Sequence, residues 1–332
     1  MRLGIWCPAP LSIRPDAEVK PAFDSLTRPG GGIDANYLYA VDVLQRAEDL
    51  GFSLTLIAQR FFGPDLDSWV FASALAAETK SMDIMAAVHP GIVDPRIAAK
   101  WAASIDRISG GRFCVNVVNG SRPQEFEVFG KLLAAGEARY RRMHEFIKVM
   151  KAMWTEDDFK FDGEFYSVAY GAVPTKSIRV PHPPVYAASR VDEGMNVVAQ
   201  ECDGWFVNAN RDYRLYDDTL RRVKAEIELM NRRCAELGRT MSYALSACVL
   251  MADTDAEAIA IAEGYMAQLD RDPSIRSASS AVGANIIGSP RTVVERIRTY
   301  QSMGIDLFLL QFYPMRRGLD DFAIKVLPEL EV

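Results

Sequence analysis

The sequence predicts an α/β protein whose residues 1–332 form one domain, a (β/α)8 TIM barrel with insertions. The chain has 332 residues, and single α/β barrels commonly take ~250 residues or more. Short apolar runs alternate with longer stretches of helical periodicity along most of its length. The runner-up fold is a doubly wound sheet. It is expected to carry a G-x-G-x-x-G turn after its first strand, and the chain has none there.

Eight apolar runs are assigned to the barrel strands. Buried parallel strands are continuously apolar, as are LTLIA at 54–58 and MDIMAAVH at 82–89. Gly110-Gly111 is expected to end the helix before the fourth strand, because glycine readily adopts the left-handed conformation of a helix C-terminus. The eight strands are predicted at 2–7, 54–58, 82–89, 113–119, 184–188, 204–208, 243–251 and 305–312.

Three stretches depart from the repeating unit and are treated as insertions. Residues 8–35 are rich in proline and glycine and form a long connection after the first strand. Residues 159–168 predict a β-hairpin that turns at Asp162-Gly163. Residues 270–288 are polar and poor in helical pattern. Because long loops in compact domains often cover active sites, we expect a lid loop there.

Composition and charge exclude several classes of function. There are 44 acidic and 38 basic side chains, a formal charge of −6, so we expect no nucleic-acid partner. No apolar run approaches the ~20 residues of a membrane span, and the first residues lack the apolar stretch of a signal peptide. Five cysteines without a C-x-x-C pair suggest a reducing compartment, and three scattered histidines suggest no metal site. We therefore expect a cytoplasmic protein.

The side chains at the strand ends indicate a binding site for a planar ligand. The active site of a TIM barrel lies at the C-terminal ends of its strands. Aromatic, amide and apolar side chains prevail there, which suits a cofactor that performs the difficult chemistry itself. These residues are Trp6, Cys7, Ala58, Gln59, His89, Asn116 to Gly120, Ala188 to Arg190, Asn208 and Gln311 to Tyr313.

Specific motifs resemble one known family. SIDRISGGRFCVNVVNG at 104–120 resembles the signature of the bacterial luciferase-like flavin monooxygenases. Four further segments resemble that family in order and spacing: EARYRRMHEFIKVMKAMW at 137–154, WTEDDFKFDGEFYSV at 154–168, IIGSPRTVVERI at 286–297 and GIDLFLLQFYPMRRGLDDFAIKVLPEL at 304–330. The likeness is greatest to the branch of dimethyl sulfone, alkanesulfonate and pyrimidine monooxygenases.

The resemblance implies reduced FMN as the cofactor. By that resemblance, Ile57 and Ala58 line the isoalloxazine ring. Asn116 and Glu125 form hydrogen bonds around the polar edge of the ring.

The FMN tail is assigned in the same way. Arg139 and Tyr140 are expected to reach its ribityl chain or phosphate. Ser189 and Arg190 lie in a turn that matches the phosphate-binding turn of the family, where the amides of a helix N-terminus face the anion.

Two residues are candidates for catalysis and two more for the substrate side. His89 ends a strand and is expected to point into the pocket as a substrate ligand or proton donor. Tyr313 follows the last strand and is the second catalytic candidate. Trp6 and Arg276 are expected beside the substrate or on the lid.

Departures from the alkanesulfonate enzymes favour an uncharged substrate. Those enzymes carry Arg-x-His in the strand that corresponds to 243–251 and Tyr-Pro-His in the last segment. Here Ser246 and Cys248 occupy the first pair, and Met315 replaces the final histidine. A buried sulfonate needs charge-assisted donors, so a sulfone or another weakly polar compound fits better.

The predicted function is that of a two-component, FMN-dependent monooxygenase that oxygenates a small organic substrate with reduced FMN and O2. A separate NAD(P)H:flavin reductase would supply the reduced FMN, and we expect a homodimer or homotetramer. Three alternatives stay open: an alkanesulfonate monooxygenase, a deazaflavin-dependent oxidoreductase and a non-catalytic flavin-binding protein.

Overall fold

The computed structural model describes residues 1–9, 31–61, 63, 65–120, 122–171, 174–210, 212–271 and 279–330. Eleven strands occur in this part of the chain. They are β1 (Arg2–Trp6), β2 (Leu54–Ile57), β3 (Asp83–Val88), β4 (Phe113–Val117), β5 (Phe159–Asp162), β6 (Ser167–Gly171), β7 (Val185–Ala187), β8 (Gly204–Val207), β9 (Ser242–Met251), β10 (Ile286–Gly288) and β11 (Leu307–Phe312).

Eleven α-helices alternate with these strands in the described residues. They are α1 (Ala35–Asp49), α2 (Ser68–Glu78), α3 (Pro95–Ile108), α4 (Pro123–Glu127), α5 (Ala138–Thr155), α6 (Asp192–Glu201), α7 (Tyr216–Glu236), α8 (Asp255–Arg271), α9 (Ser279–Val282), α10 (Pro290–Ser302) and α11 (Met315–Lys325). None of these helices combines the length and apolarity that a membrane span requires.

The main sheet is the predicted TIM barrel. Its strands follow the order β10-β9-β11-β1-β2-β3-β4-β7-β8, and β8 also pairs with β9, which closes a barrel of eight parallel strands. Those eight are the eight predicted apolar runs. Every residue of β2, β3 and β11 is buried, as expected for parallel strands covered on both faces. The fold prediction is therefore confirmed.

The insertion at 159–168 forms the predicted hairpin, with β5 antiparallel to β6. Its turn is longer than the two-residue turn expected at Asp162-Gly163. The Glu145 carboxylate, on α5, accepts hydrogen bonds from the backbone N–H groups of Glu164, Phe165 and Tyr166 at 2.8, 2.8 and 3.2 Å. A single side chain thus satisfies the amides that this longer turn leaves open.

The stretch at 270–288 is not a loop throughout, which corrects part of the expectation. Its first two residues end α8, and its last part contains α9 and the strand β10. β10 pairs with the end of β9, and Ile286 and Ile287 are buried because their apolar side chains pack into the core. Residues 272–278, including Arg276, lie outside the described residues, as do 10–30 of the first insertion.

Two compact units divide the chain. The terminal unit comprises Met1–Leu56, Phe206–Leu229 and Ser242–Val332. The central unit comprises Ile57–Trp205 and Met230–Met241. All residues expected to contact FMN belong to the central unit, whereas Trp6, Ser246, Cys248 and Tyr313 belong to the terminal unit.

Each unit has an apolar core formed by helix faces and strands. In the central unit, α5 buries the residues that its helical spacing predicts: Met143, Phe146, Ile147, Met150 and Trp154. In the terminal unit, the rings of Phe52, Phe312 and Phe322 pack with their centroids 5.3 to 6.2 Å apart. These cores hold the strand ends from which the site residues project.

Candidate active site

His89 lies buried at the end of β3 in the central unit, with 4% of its surface exposed. Its Nδ1 atom is 2.9 Å from the Val118 carbonyl oxygen, and its Nε2 atom is 3.3 Å from the Gln59 carbonyl oxygen. Burial lowers the pKa of His89, so the ring is neutral at pH 7 and donates to only one of the two carbonyls. Its proton is thus engaged by the backbone, and its catalytic role stays a prediction.

An aromatic cradle surrounds His89. The rings of Phe61 and Phe126 lie 5.9 and 6.3 Å from its imidazole, measured between centroids. Gly120, with φ of 74°, faces Phe126, and a Cβ atom at this position would lie 2.5 Å from the Phe126 ring. Only glycine meets both demands, and the close contact holds α4 against the end of β4.

Buried oxygen atoms without hydrogen-bond partners occur where the resemblance puts the flavin ring. Asn116, on β4, and Glu125, on α4, are 8% and 3% exposed. Asn116 Oδ1, Glu125 Oε1 and the neighbouring Asn119 Oδ1 have no partner among the described residues. Leaving such an acceptor unpaired costs ~1–3 kcal/mol, so these atoms indicate a place where a ligand supplies donors.

Asn119 is one of the strand-end residues expected at the pocket, but the resemblance assigned it no contact with the flavin. Its Nδ2 atom donates to the Met143 sulfur at 3.2 Å, which leaves the oxygen end of the amide free. The Asn119-Gly120 pair at a strand end is consistent with that expectation, because the adjoining glycine lets other groups approach closely.

Arg139 and Tyr140 begin α5 and interact with each other. Arg139 donates from Nη2 to the Tyr140 hydroxyl at 3.2 Å and from Nη1 to the Gly120 carbonyl at 3.5 Å. Its buried Nε has no partner within the described chain. The start of α5 thus contacts the loop that follows β4, next to the Asn119 amide.

Gly194 brings Tyr140, Ser189 and the N-terminus of α6 together. A Cβ atom on Gly194 would clash with Ser189 Oγ and would lie 2.6 Å from Tyr140 Cε1. The tyrosine ring and the serine therefore pack directly on the first turn of α6. Gly194 was not predicted from the sequence, because its contact with Tyr140 joins two segments that are far apart in the chain.

The N-terminus of α6 is only partly prepared for an anion. No side chain caps its first turn, so its amides remain available for a phosphate. Asp192 and Glu193 in that turn oppose an anion, although Asp192 is paired with Arg233. The Ser189 hydroxyl bonds locally to Val191, donating to its carbonyl at 3.2 Å, and Arg190 is exposed.

The residues present fit FMN. The edge of a reduced isoalloxazine carries N–H donors, which match the unpaired oxygens of Asn116 and Glu125. A phosphate tail suits the Arg139 guanidinium and the uncapped amides of α6. Ile57 is buried and Ala58 half-buried at the end of β2, where they offer an apolar surface.

Gln59 lies at a strand end but performs a structural task. Its Nε2 donates to Asp67 Oδ2 at 2.8 Å, and its Oε1 accepts from the Ser68 N–H at 2.7 Å. Both ends of the amide are used to anchor the start of α2. The amide is thus engaged by a nearby helix N-terminus, and a place of Gln59 in the pocket stays a prediction.

In the terminal unit, Trp6 and Tyr313 both contact other polar or aromatic side chains. The Trp6 indole N–H donates to Ser246 Oγ at 2.8 Å. The Tyr313 ring packs on the Tyr265 ring with centroids 4.6 Å apart. Trp6 and Tyr313 therefore each contact an uncharged side chain.

Comparison with known proteins gives a consistent family. The sequence profile described as luciferase-like monooxygenase matches residues 1–307. An FMNH2-dependent dimethylsulfone monooxygenase of Pseudomonas putida is 29% identical over 323 residues, covering 87% of both chains. The enzyme of the same name from Pseudomonas fluorescens (strain Pf0-1) is 28% identical over 334 residues, covering 91% of this chain and 88% of the relative.

Solved structures share the fold. Monooxygenase RslO1 from Streptomyces bottropensis superposes with a TM-score of 0.78, at 20% identity and with 99% of each chain covered. At that identity the similarity bears on the fold, which is the same barrel.

Proposed function

Because this chain belongs to the luciferase-like monooxygenase family, we propose that it is the oxygenating component of a two-component, FMN-dependent monooxygenase. The family and the type of cofactor predicted from the sequence agree with its curated relatives, which are FMNH2-dependent monooxygenases. The observation that carries the proposal is the set of buried, unpaired oxygens of Asn116, Asn119 and Glu125. These acceptors support the proposal, because a reduced flavin ring carries N–H groups that could donate to them.

The residues of the central unit have separate tasks in this proposal. Asn116 and Glu125 accept hydrogen bonds from the ring, while Ile57 and Ala58 exclude water from one face of it. Arg139 and Tyr140 bind the ribityl chain or phosphate together with Ser189, Arg190 and the amides of α6. Reduced FMN, when bound, supplies the reaction with O2 from which the substrate receives one oxygen atom.

His89 has a supporting task in the same scheme. His89 forms a hydrogen bond with the backbone carbonyl of Val118, so its task in this scheme is to hold the ends of β3 and β4 next to the flavin ring. Proton donation to the substrate falls instead to Tyr313, the second predicted catalytic residue, in the terminal unit.

The substrate in this proposal is a small neutral compound, a sulfone or another weakly polar molecule. Ser246 is engaged by Trp6, and Cys248 is buried in an apolar cluster. Neither residue can replace the cationic donors that a buried sulfonate needs. An alkanesulfonate is therefore a weaker candidate, and the curated relatives carry dimethylsulfone in their names.

The proposed partners are a separate NAD(P)H:flavin reductase and a second copy of the chain. A homodimer or homotetramer is supported by exposed apolar side chains on α2 and α3, namely Val70, Ile97, Trp101 and Ile108. A cytoplasmic location is supported by the five cysteines, which are all buried thiols. Light scattering at several protein concentrations tests the oligomer.

An isotope experiment tests the activity. The protein is supplied with FMN, NADH and a flavin reductase under 18O2, with small sulfones, amides and sulfonates as candidate substrates. The proposal expects a product that carries one 18O atom and depends on all components. If reduced flavin is consumed but no candidate yields a labelled product, the protein is better described as a non-catalytic flavin-binding protein. If it is active with a deazaflavin and no FMN, it is better described as a deazaflavin-dependent oxidoreductase.

A further inference from the structure

A cavity of about 420 Å³ lies in the central unit, and none of its lining residues is among those expected to bind FMN. It is bounded by the segment that follows β3, by α5 and by the turn between β5 and β6. Its volume is in the range of small-molecule sites, ~300–1,000 Å³. The cavity therefore has room for a small ligand.

Two cationic side chains line this cavity without a carboxylate partner. Arg142, on α5, is half-buried, and Lys131 lies in the segment before α5. Among the described residues, no carboxylate lies within ion-pair distance of either side chain, and no acceptor takes a hydrogen bond from Arg142. Lys131 donates once, to the Ile92 carbonyl at 3.0 Å. Most donors of the two cations are thus left for a ligand or for water.

Arg142 is held in position by two neighbours. Its guanidinium carbon lies 4.8 Å from the centroid of the Phe165 ring. A Cβ atom on Gly91 would lie 2.7 Å from Arg142 Nη1, so Gly91, with φ of 92°, leaves the space that the guanidinium occupies. A guanidinium stacked on an aromatic ring keeps its N–H edge free to bind an anion.

Three donors of the cavity lie around the backbone of Gly91 and Ile92. Arg142 Nη1 is next to Gly91, Lys131 Nζ contacts the Ile92 carbonyl, and the Tyr166 hydroxyl accepts from the Gly91 N–H at 3.2 Å. Burial raises the pKa of Tyr166 to about 12, so this hydroxyl keeps its proton at pH 7 and can donate it. Because the two backbone residues are consecutive, one small anion can meet all three donors.

The carboxylates around the cavity are already engaged. Asp94 lines it, but the Arg96 guanidinium donates to both of its oxygens, at 2.8 and 2.6 Å, and holds the pKa of Asp94 below its ordinary value. Glu164 is paired with Arg141 at 2.9 Å. Glu145 accepts hydrogen bonds from three backbone amides of the hairpin turn. An external anion is therefore the partner that the two cations lack.

The rest of the lining selects among anions. Val93, Leu132 and the Phe165 ring give the cavity an apolar wall. The ionised Asp94 at the same cavity repels a dianion such as phosphate more than it repels a single charge. A guanidinium binds a carboxylate through two parallel hydrogen bonds. The lining thus suits one carboxylate attached to an apolar body.

We propose that this cavity binds an organic carboxylate with an apolar body, as a second ligand besides the flavin and the oxygenated substrate. Arg142 donates two hydrogen bonds to the carboxylate, Lys131 and Tyr166 flank it, and the apolar body lies against the apolar wall. The inference goes beyond the proposed function and does not depend on it.

Matched probes test the inference without turnover. Benzoate carries a carboxylate on an apolar ring, benzamide has the same shape without the charge, and inorganic phosphate has charge without the apolar body. Isothermal titration calorimetry measures their affinities for the full chain at low ionic strength, with and without saturating FMN. We expect benzoate to bind ~10-fold more tightly than benzamide, more tightly than phosphate, and equally well with and without FMN.

Two neighbouring arginines of α5 provide matched variants. Arg142→Gln should weaken benzoate ~10-fold and leave benzamide unchanged. Arg142→Lys should restore only part of the affinity, because lysine keeps the charge but not the planar pair of donors. Arg141→Gln is the control: Arg141 is exposed, is paired with Glu164 and does not line the cavity, so this variant should bind benzoate like the wild type.

A variant of an exposed residue guards against a folding defect. Thermal melting shows whether Arg142→Gln is folded, and we expect it to be, because Arg142 donates no hydrogen bond within the described chain. Lys131→Gln changes an exposed side chain and should weaken benzoate by a smaller factor than Arg142→Gln. If Arg142→Gln does not fold, unchanged benzoate affinity in Lys131→Gln contradicts the inference.

Four results would overturn the inference. They are equal affinities for benzoate and benzamide, tighter binding of phosphate than of benzoate, equal benzoate affinities in Arg142→Gln and Arg141→Gln, and displacement of benzoate by FMN. The last result would mean that the probe occupies the flavin site and not a separate cavity. A protein that binds benzoate as expected but incorporates no 18O would lose the proposed oxygenation and keep this binding site.

Discussion

The central and terminal units both bury polar atoms without partners, and those near the predicted site residues differ in chemistry. In the central unit these atoms include the oxygens of Asn116, Asn119 and Glu125, accompanied by the Arg139 guanidinium. In the terminal unit they include the Tyr213 hydroxyl and the Gln311 amide, among aromatic neighbours. The first set suits an anionic cofactor with N–H donors, and the second suits a neutral molecule.

On the proposed function, cofactor and substrate recognition rest on separate side chains. Changes in the central unit should then alter FMN affinity and leave substrate binding unchanged. Changes in the terminal unit should do the reverse.

The largest effect is expected from Gly194→Ala. The added methyl group would collide with Ser189 and Tyr140, so one or both must move from the phosphate side of the site. We expect a loss of FMN binding of up to ~3 kcal/mol, the upper range for overpacking a tight contact. Anaerobic titration with reduced FMN, followed by tryptophan fluorescence, measures the affinity.

Gly264→Ala is the matched control, because no atom lies within 4 Å of a Cβ atom built at this position on α8. It should bind FMN normally and gain up to ~1 kcal/mol of stability from helix propensity. If both variants bind FMN like the wild type, Gly194 has no part in the site.

The next effect is expected from Glu125→Gln. The substitution keeps the shape and one acceptor but removes the charge, so FMN binding should weaken by ~1.5 kcal/mol if the carboxylate accepts from the ring. The same titration checks it, with Glu137→Gln as the control, since Glu137 is exposed before α5. Equal affinities for all three proteins would remove Glu125 from the flavin contacts.

A smaller effect is expected from Tyr140→Phe. Its hydroxyl already accepts a hydrogen bond from Arg139, so the loss should be that of one ordinary hydrogen bond, ~1 kcal/mol. Titration with FMN and with riboflavin separates the possible partners. If the hydroxyl meets the phosphate, only FMN binding weakens; no change with either ligand would leave Tyr140 a packing role.

The smallest effect is expected in the pH dependence of stability. The pKa of His89 lies below its ordinary value of 6.5, so the unfolded chain binds a proton more readily than the folded one. The free energy of unfolding should therefore fall as the pH drops below 6.5. His89→Gln should reduce that slope in urea unfolding at a series of pH values, and an equal slope in both proteins would contradict the buried neutral state.

The sequence predicted the eight barrel strands because each is an apolar run long enough to recognise. It did not reveal β10, a strand of three residues that pairs with the end of β9. The two apolar residues Ile286 and Ile287 give too short a pattern for a strand to be told from a buried turn.

The candidate site was predictable only where a motif marks it. Asn116 and Tyr140 were selected by resemblance, but nothing in the sequence shows that Asn116 Oδ1 lacks a partner. Gln59 looked like a pocket residue, because its partners near Asp67 become visible only in the folded chain. The importance of Gly194 likewise depends on contacts between distant segments.

Hydrogen exchange followed by mass spectrometry can show which of the two units binds FMN. Reduced FMN is added anaerobically to the protein, and protection is mapped along the chain. We expect protection in peptides that contain 57–58, 116–125, 139–140 and 189–194, all in the central unit. Protection confined to peptides around Tyr213, Tyr265 and Tyr313, with none in the central unit, would contradict it.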